Sequence, residues 1–413
     1  MVTLAPGHSV AEALASDWER YRRAIEGRPL PVALVDLDAM EKNLETLLAP
    51  VRASGKTLRV ASKSIRCVEL LRHVARVGGA GVRGIMAFSC EEALWLTGEG
   101  FTDILVAYPT AQRQGALRVA EANAAGAVVS LAVDDVEHLG IAEAAARAVG
   151  VDVPVVADVD LSFRPHGLAH VGVRRSPLGN ARSVADLVER IASFPGLRFG
   201  GLLAYEAHIA GVADDSPLSP ARAAAMRAMK RLARPSVLEL RAQIVLELAR
   251  RGISVPLFNG GGTGSVAWSA LDPSLTEVTA GSGLLDSHLF DHYRGLPLSP
   301  AAFFALQVTR YPAPGFVTCQ GGGYIASGAT GADRLPIPWL PSGLRLTSLE
   351  GAGEVQTPLR VPRGSRLLLG DPVFFRHAKA GELAEHFTSY LLVRGDRVER
   401  EVVTYRGAGK CFA

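Results

Sequence analysis

The sequence predicts an α/β protein: a (β/α)8 TIM-like barrel followed by a β-rich domain. Two patterns carry this expectation. Through the middle of the chain, short and nearly continuous apolar runs alternate with Ala-, Glu- and Arg-rich segments such as 135–149 and 183–194. Parallel strands covered on both faces and joined by crossover helices read this way, and eight such runs is the number that closes a barrel. After about residue 296 the texture changes: Pro and Gly become dense, helical periodicity fades and short β-type runs appear. An open doubly wound sheet is the competing fold, and no G-x-G-x-x-G follows an early strand to favour it.

The elements follow in order. Residues 9–26 read as an amphipathic helix and 32–37 as a strand leading into a helix over 38–53, with Asp38 as its N-cap. Asp36 and Asp38 form a D-x-D, for which capping is the expected work. The barrel strands are expected at 58–62, 83–88, 103–107, 127–133, 153–160, 198–204, 253–258 and 275–279. The β-rich part is expected to hold strands at 305–311, 366–369, 372–375, 389–393 and 398–405. This divides the chain into 1–30, a helix packing on the β domain, 31–295, the barrel, and 296–413, the β domain.

Composition narrows the function. Lys and Arg number 44 against 41 Asp and Glu, a net charge of +3, too small to imply a nucleic-acid surface. No uncharged apolar run reaches the roughly 18 residues of a membrane span, and residues 1–27 carry charges throughout, unlike a secretory leader. Cys67, Cys90, Cys319 and Cys411 lack C-x-x-C spacing. That argues against a disulfide framework or zinc knuckle and suits a reducing cytoplasm.

Barrel chemistry sits at the C-terminal ends of the strands. Lys63 follows the first barrel strand, where partial burial would lower its amine pKa as a Schiff-base lysine requires; taken alone, it reads first as a solvated strand-end lysine. Asn259-Gly260-Gly261-Gly262-Thr263-Gly264-Ser265 follows the seventh strand, and Thr279-Ala280-Gly281-Ser282-Gly283 the eighth. Glycine turns expose backbone N–H groups to an anion, and barrels hold phosphate after strands seven and eight. No Gly-Lys-Ser/Thr marks a nucleotide P-loop. An amine at one end and a phosphate cup at the other suit pyridoxal 5′-phosphate.

At this point the chain resembles the fold-type III pyridoxal-phosphate enzymes (the alanine racemase N-terminal domain superfamily), and within them the D-threonine aldolase / D-serine dehydratase branch. The likeness is carried by Pro31-Val32-Ala33-Leu34-Val35-Asp36-Leu37-Asp38, by the lysine strand 58–63, by Tyr205-Glu206-Ala207-His208 and by Gly261-Gly262-Thr263-Gly264. It spans residues 30–290 and continues more loosely beyond. The resemblance implies Lys63 as the Schiff-base lysine. It implies Gly262, Thr263, Gly264, Gly281 and Ser282 as the phosphate site, Tyr205 along the ring and His208 facing the substrate. Alone, Tyr205 and His208 read as a core tyrosine and a hydrogen-bonded histidine. Arg164, with His170 and Arg174 as competitors, is the candidate for cofactor or substrate carboxylate. Related racemases carry an arginine two residues before the phosphate glycine; here stands Thr279, which favours carbanion chemistry over racemisation.

In that branch a histidine, and a cysteine or aspartate two positions later, hold a divalent metal. Here His377 fits the first ligand, but the second position is Lys379, an ammonium. Either Lys379 supplies the metal's charge, or Glu382, His386 or Cys411 completes a metal site, or both residues sit on a surface turn. His288 and His292, spaced i, i+4, would make a helical metal pair but lack a third ligand. The expected function is a pyridoxal-phosphate lyase acting on a β-hydroxy D-amino acid through Lys63, His208 and Lys379, by retro-aldol cleavage or by dehydration and deamination. The alternatives are an amino-acid racemase, a decarboxylase, a non-catalytic pyridoxal-phosphate binding protein, and a metal-dependent barrel hydrolase using His208, His377 and Glu382. By analogy the enzyme is a homodimer.

Overall fold

The computed structural model describes residues 10–412, apart from 168, 217, 218 and 365. The first strand, β1 (Val32–Asp36), stays out of the barrel. The next eight strands close the barrel in chain order: β2 (Thr57–Ala61), β3 (Val82–Ala87), β4 (Asp103–Val106), β5 (Val128–Val133), β6 (Val153–Asp158), β7 (Leu197–Ala204), β8 (Phe258–Gly260) and β9 (Glu277–Ala280). All neighbours are parallel, and β9 pairs back with β2 through Leu58↔Val278 and Val60↔Ala280. Most of their apolar side chains are buried, on both faces, which explains the continuous hydrophobic runs.

The expected seventh strand, 253–258, ends where β8 begins. Pro256 has no N–H to give a ladder, and pairing starts at Leu202↔Phe258. The lower barrel holds a buried ionic layer. Arg59 donates to Glu277 at 2.6 Å and to Asp103 at 2.8 Å, and the Asn259 amide donates to Glu277 at 2.6 Å. Above it lies an apolar layer of Leu105, Val156 and Leu203.

The second sheet has nine strands. Its members are β10 (Ala302–Arg310), β11 (Phe316–Gln320), β12 (Ile337–Leu340), β13 (Arg345–Leu346), β14 (Gln356–Arg360), β15 (Pro372–Arg376), β16 (Ser389–Arg394), β17 (Arg397–Val403) and β1. β1 lies between β10, antiparallel, and β16, parallel. Residues 32–36, expected with the barrel, are thus an interior strand of the β sheet, and the chain crosses from one layer to the other at Asp36. The segment 366–369, expected as a strand, is a turn in which the Leu368 amide donates to the Asp371 carboxylate. The helix Val10–Ala24 packs on this sheet; Ser9, where it was expected to begin, lies outside the described residues. Tyr21 stacks near Phe303, centroids 4.6 Å apart, and the Trp18 indole donates to the Pro372 carbonyl at 3.0 Å.

The helix after β1 runs Leu37–Ala53, and its N-cap is Asp36, not Asp38. The strand passes into the helix without a loop, so the last strand residue caps it. Asp36 accepts from the Ala39 amide at 2.9 Å, the Tyr21 hydroxyl at 2.6 Å and Arg20 at 2.9 Å. Asp38 instead pairs on the surface with Arg394 at 2.7 Å. Asp36→Ala is therefore expected to cost at least about 2 kcal/mol in urea unfolding, a cap plus charge-assisted bonds, and Asp38→Ala about 1 kcal/mol or less. Equal costs would contradict the assignment of the cap.

Candidate active site

At the C-terminal ends of the barrel strands lies a cavity of about 400 Å3. Lys63 sits in a single 3-10 turn, Ser62–Ser64, directly after β2. Its side chain is exposed to the cavity rather than partly buried. Its Nζ donates to the Tyr108 hydroxyl at 2.7 Å and lies 5.3 Å from that ring's centroid. Tyr108 was missed from sequence, although it stands just past a barrel strand, where such residues belong. The lysine turn is covered by Gly381 of the β domain. Gly381 has φ +87°, and any Cβ there would overlap the Lys63 carbonyl oxygen, so only glycine allows this approach.

The two glycine turns stand on the same wall. The Thr263 hydroxyl accepts from the Gly283 amide at 3.0 Å, which joins one turn to the other. The Ser282 and Ser64 hydroxyls share a hydrogen bond of 3.0 Å, which joins the second turn to the lysine turn. Gly281 packs against β2: a Cβ would stand 2.7 Å from the Ala61 carbonyl oxygen. Gly262, Thr263, Gly281 and Ser282 line the cavity; Gly264 stands behind it, against Ala210 and Tyr293.

Beneath the first turn lies a buried ion pair that sequence reading did not single out. Glu206 is fully buried and accepts from Arg241, the Ser265 hydroxyl (2.6 Å), the Ser269 hydroxyl and the Gly261 amide (3.1 Å). Burial alone would raise its pKa; Arg241 and the two serines outweigh burial and hold it below the usual carboxylate value. Arg241 comes from the helix Pro220–Arg250 and is itself held by Asp272 at 3.0 Å and the Ala204 carbonyl at 2.7 Å.

Tyr205 and His208 follow β7 and line the cavity. Burial, with Glu206 adding, pushes the Tyr205 phenol up to about 12. Burial lowers the His208 pKa against the opposing pull of Glu206 and Asp160, and its Nε2 has no partner among the described residues. After β6 the wall carries Asp158 and Arg175. Burial, with Asp134 adding, raises the Asp158 carboxyl to about 7. Arg164 is drawn out of this set: it pairs with Asp160, is largely exposed and stands off the wall. His170 and Arg174 stand off it too. The long irregular stretch after β6 hides from sequence that the next residue, Arg175, is the one that turns inward.

From the β domain, Lys379 reaches the cavity wall. Its Nζ donates to the Ser327 hydroxyl at 2.6 Å and pairs with Glu382 at 3.1 Å. His377 does not line the cavity. It is fully enclosed, both ring nitrogens lack partners among the described residues, and burial, with Arg376 adding, pushes its pKa down to about 3. Among the described residues no group of three His, Cys, Asp or Glu side chains is placed to hold a metal. With an ammonium at the second position, these residues do not fit the expected metal site. His288 and His292 lie on a 3-10 turn, not on an α-helix as expected. The residues do fit a phosphorylated aldehyde: an amine and two hydroxyl-bearing glycine turns on one wall, with an orphaned imidazole beside them.

Among relatives, the chain is 25% identical over 252 residues to a 3-hydroxy-D-aspartate aldolase of Paracoccus denitrificans (strain Pd 1222). It is 28% identical over 253 residues to a D-threonine aldolase of Arthrobacter sp. Each alignment covers 61% of this chain and 59% and 60% of the relative, about three fifths of the length of these relatives. Among solved structures, D-threonine aldolase from Filomicrobium marinum superposes with TM-score 0.78 at 21% identity, covering 92% of this chain and 96% of that one. D-threo-3-hydroxyaspartate dehydratase from Delftia sp. HT23 gives 0.72 at 20%, covering 92% and 98%. An alanine racemase of Clostridium difficile 630 gives 0.67 at 12%, covering 90% and 98%. These structures share the fold. Residues 35–285, more than half of the chain, match the family described as alanine racemase, N-terminal domain, and the chain belongs to that family.

Proposed function

We propose that this protein is a pyridoxal-phosphate-dependent lyase acting on a β-hydroxy D-amino acid. The observation that carries the reading is the stitched wall. The Ser64–Ser282 and Thr263–Gly283 hydrogen bonds tie the turn that carries Lys63 to both glycine turns around one cavity. The substrate class rests on the relatives' names, D-threonine aldolase and 3-hydroxy-D-aspartate aldolase.

Pyridoxal phosphate, when bound, supplies an aldehyde for amines and an electron sink for a carbanion at Cα. In this reading Lys63 Nζ is the amine that carries the cofactor and, once free, takes the α-proton in a dehydration. Thr263 and Ser282 bind the phosphate with hydroxyls and backbone. Tyr205 and Arg175, which line the cavity, would border the cofactor's ring. Thr279, occupied with Asn259 at 2.8 Å and 3.0 Å, offers the ring nitrogen no positive charge. His208, neutral because burial lowers its pKa, takes the β-hydroxyl proton in a retro-aldol cleavage, and Lys379 balances charge at that hydroxyl. No step runs through a metal.

A homodimer in the cytoplasm belongs to the same reading. Ile325, Leu349, Val355 and Leu368 of the β domain are exposed apolar side chains. Cys67, Cys90 and Cys319 are buried thiols, and no helix among the described residues is long and apolar enough to cross a membrane.

The purified enzyme is expected to show the visible absorbance of a lysine-bound cofactor, and Lys63→Ala to lose both that band and turnover. A band that survives in the alanine variant would defeat the reading. Glycine plus aldehyde from D-threonine would mark the aldolase, and keto acid plus ammonia the dehydratase. The acid limb of kcat/KM is expected below pH about 6.5, the ordinary histidine value, because only neutral His208 accepts a proton. His208→Gln should abolish that limb and lower kcat by about 10²-fold; an unchanged profile would remove His208 from this role.

A further inference from the structure

Three buried polar atoms of cavity-lining residues have no hydrogen-bond partner among the described residues: His208 Nε2, Ser287 Oγ and Arg334 Nε. The proposed function uses the first and leaves the other two without work. A buried donor without an acceptor costs about 1–3 kcal/mol, so an unpaired set on a cavity wall marks where a ligand supplies the acceptor.

Ser287 and Arg334 come from different layers. Ser287 lies just beyond β9 and the short helix Ser282–Leu285; Arg334 closes the 3-10 turn Ala332–Arg334 of the β domain. Their chain neighbours are bonded to each other: His288 Nε2 donates to the Leu335 carbonyl at 2.8 Å. This bond holds the two backbones together across the domain junction, and both Ser287 and Arg334 line the cavity.

The charge at this spot is only weakly compensated. The acid nearest Arg334 is its own neighbour Asp333, at 3.6 Å and more than half exposed. Lys379, the other β-domain cation on the wall, already has Glu382 at 3.1 Å and Ser327 at 2.6 Å. In the proposed function the glycine turns are assigned to a phosphate, which leaves Arg334 and Ser287 for another anion. Arg334 Nε and the Ser287 hydroxyl, both unpartnered among the described residues and both on residues of one cavity lining, match a carboxylate, which takes two donors in one plane.

We infer that Arg334, assisted by Ser287, anchors a carboxylate of the amino-acid substrate and so helps set specificity. That the ligand is an amino acid rests on the lyase reading. The test is an absorbance titration of the cofactor-loaded protein with D-threonine, with 3-hydroxy-D-aspartate and with 1-amino-2-propanol, which lacks the carboxylate. Arg334→Met should weaken the acids by about 10- to 100-fold and leave the amino alcohol unchanged. Arg334→Lys should recover part of the loss, and Ser287→Ala should show a smaller one. An unchanged cofactor band in each variant reports a folded, loaded site. Weakening of both acids assigns the α-carboxylate, and weakening of 3-hydroxy-D-aspartate alone assigns the side-chain carboxylate; either supports the anchor. Equal effects on acids and amino alcohol, or no effect on either, would overturn it. Acid-selective weakening in an enzyme that turns over no hydroxy amino acid would sink the lyase reading and leave the anchor standing.

Discussion

The site depends on one buried carboxylate. Glu206 has no water to solvate it, and such a charge is tolerable only when it is paired and hydrogen-bonded on all sides. Arg241, Ser265, Ser269 and the Gly261 amide meet that need, and each is drawn to a fixed place by doing so. The glycine turn is thereby locked to the end of β7 and to the middle of the helix Pro220–Arg250. A turn of three consecutive glycines is intrinsically loose; its rigidity here is borrowed from the ion beneath it. From Thr263 the order passes to Gly283, from Ser282 to Ser64, and so to Lys63.

The second constraint is closure by the β domain. β1 ties the two layers at Asp36, and Gly381 rests on the lysine turn from above. Further bonds hold the lid in place: the Tyr405 amide donates to the Arg66 carbonyl at 2.8 Å, Arg66 pairs with Glu385, and Arg376 bridges Asp286 at 3.1 Å and Asp291 at 2.7 Å. A ligand in the cavity therefore meets the barrel's amine and turns on one side and β-domain cations on the other. Lys63, the glycine turns and His208 belong to the barrel, while Lys379 and Arg334 belong to the neighbouring layer.

What could be read from sequence follows from what physics writes into a single segment. Buried parallel strands are apolar throughout, so seven barrel strands were visible and β8 was met only at its first residue, and a lysine or glycine run just past a strand announces itself. Two strands slipped by a few residues because apolarity does not say where pairing begins; Pro256 decides it for β8. β11, β12, β13 and β14 were overlooked because Pro- and Gly-rich flanks mask short antiparallel strands. The cap of the second helix was assigned two residues late, since sequence does not reveal that a strand feeds a helix directly. The groups that escaped notice are those defined by contacts between distant segments. Arg175 rather than Arg164 reaches the wall because Asp160 takes Arg164 away. Arg334 and Ser287 meet only through a bond between their neighbours. His377, which has a ligand's chemistry, is sealed in the interior beside a lysine.

The claim that everything else requires is that Lys63 alone holds the cofactor. Borohydride reduction of the loaded enzyme, followed by proteolysis and mass mapping, tests it directly. The account predicts one reduced phosphopyridoxyl adduct per chain, on the peptide containing Lys63. An adduct on Lys379 or another lysine, or no adduct in an enzyme that turns over its substrate, would contradict it.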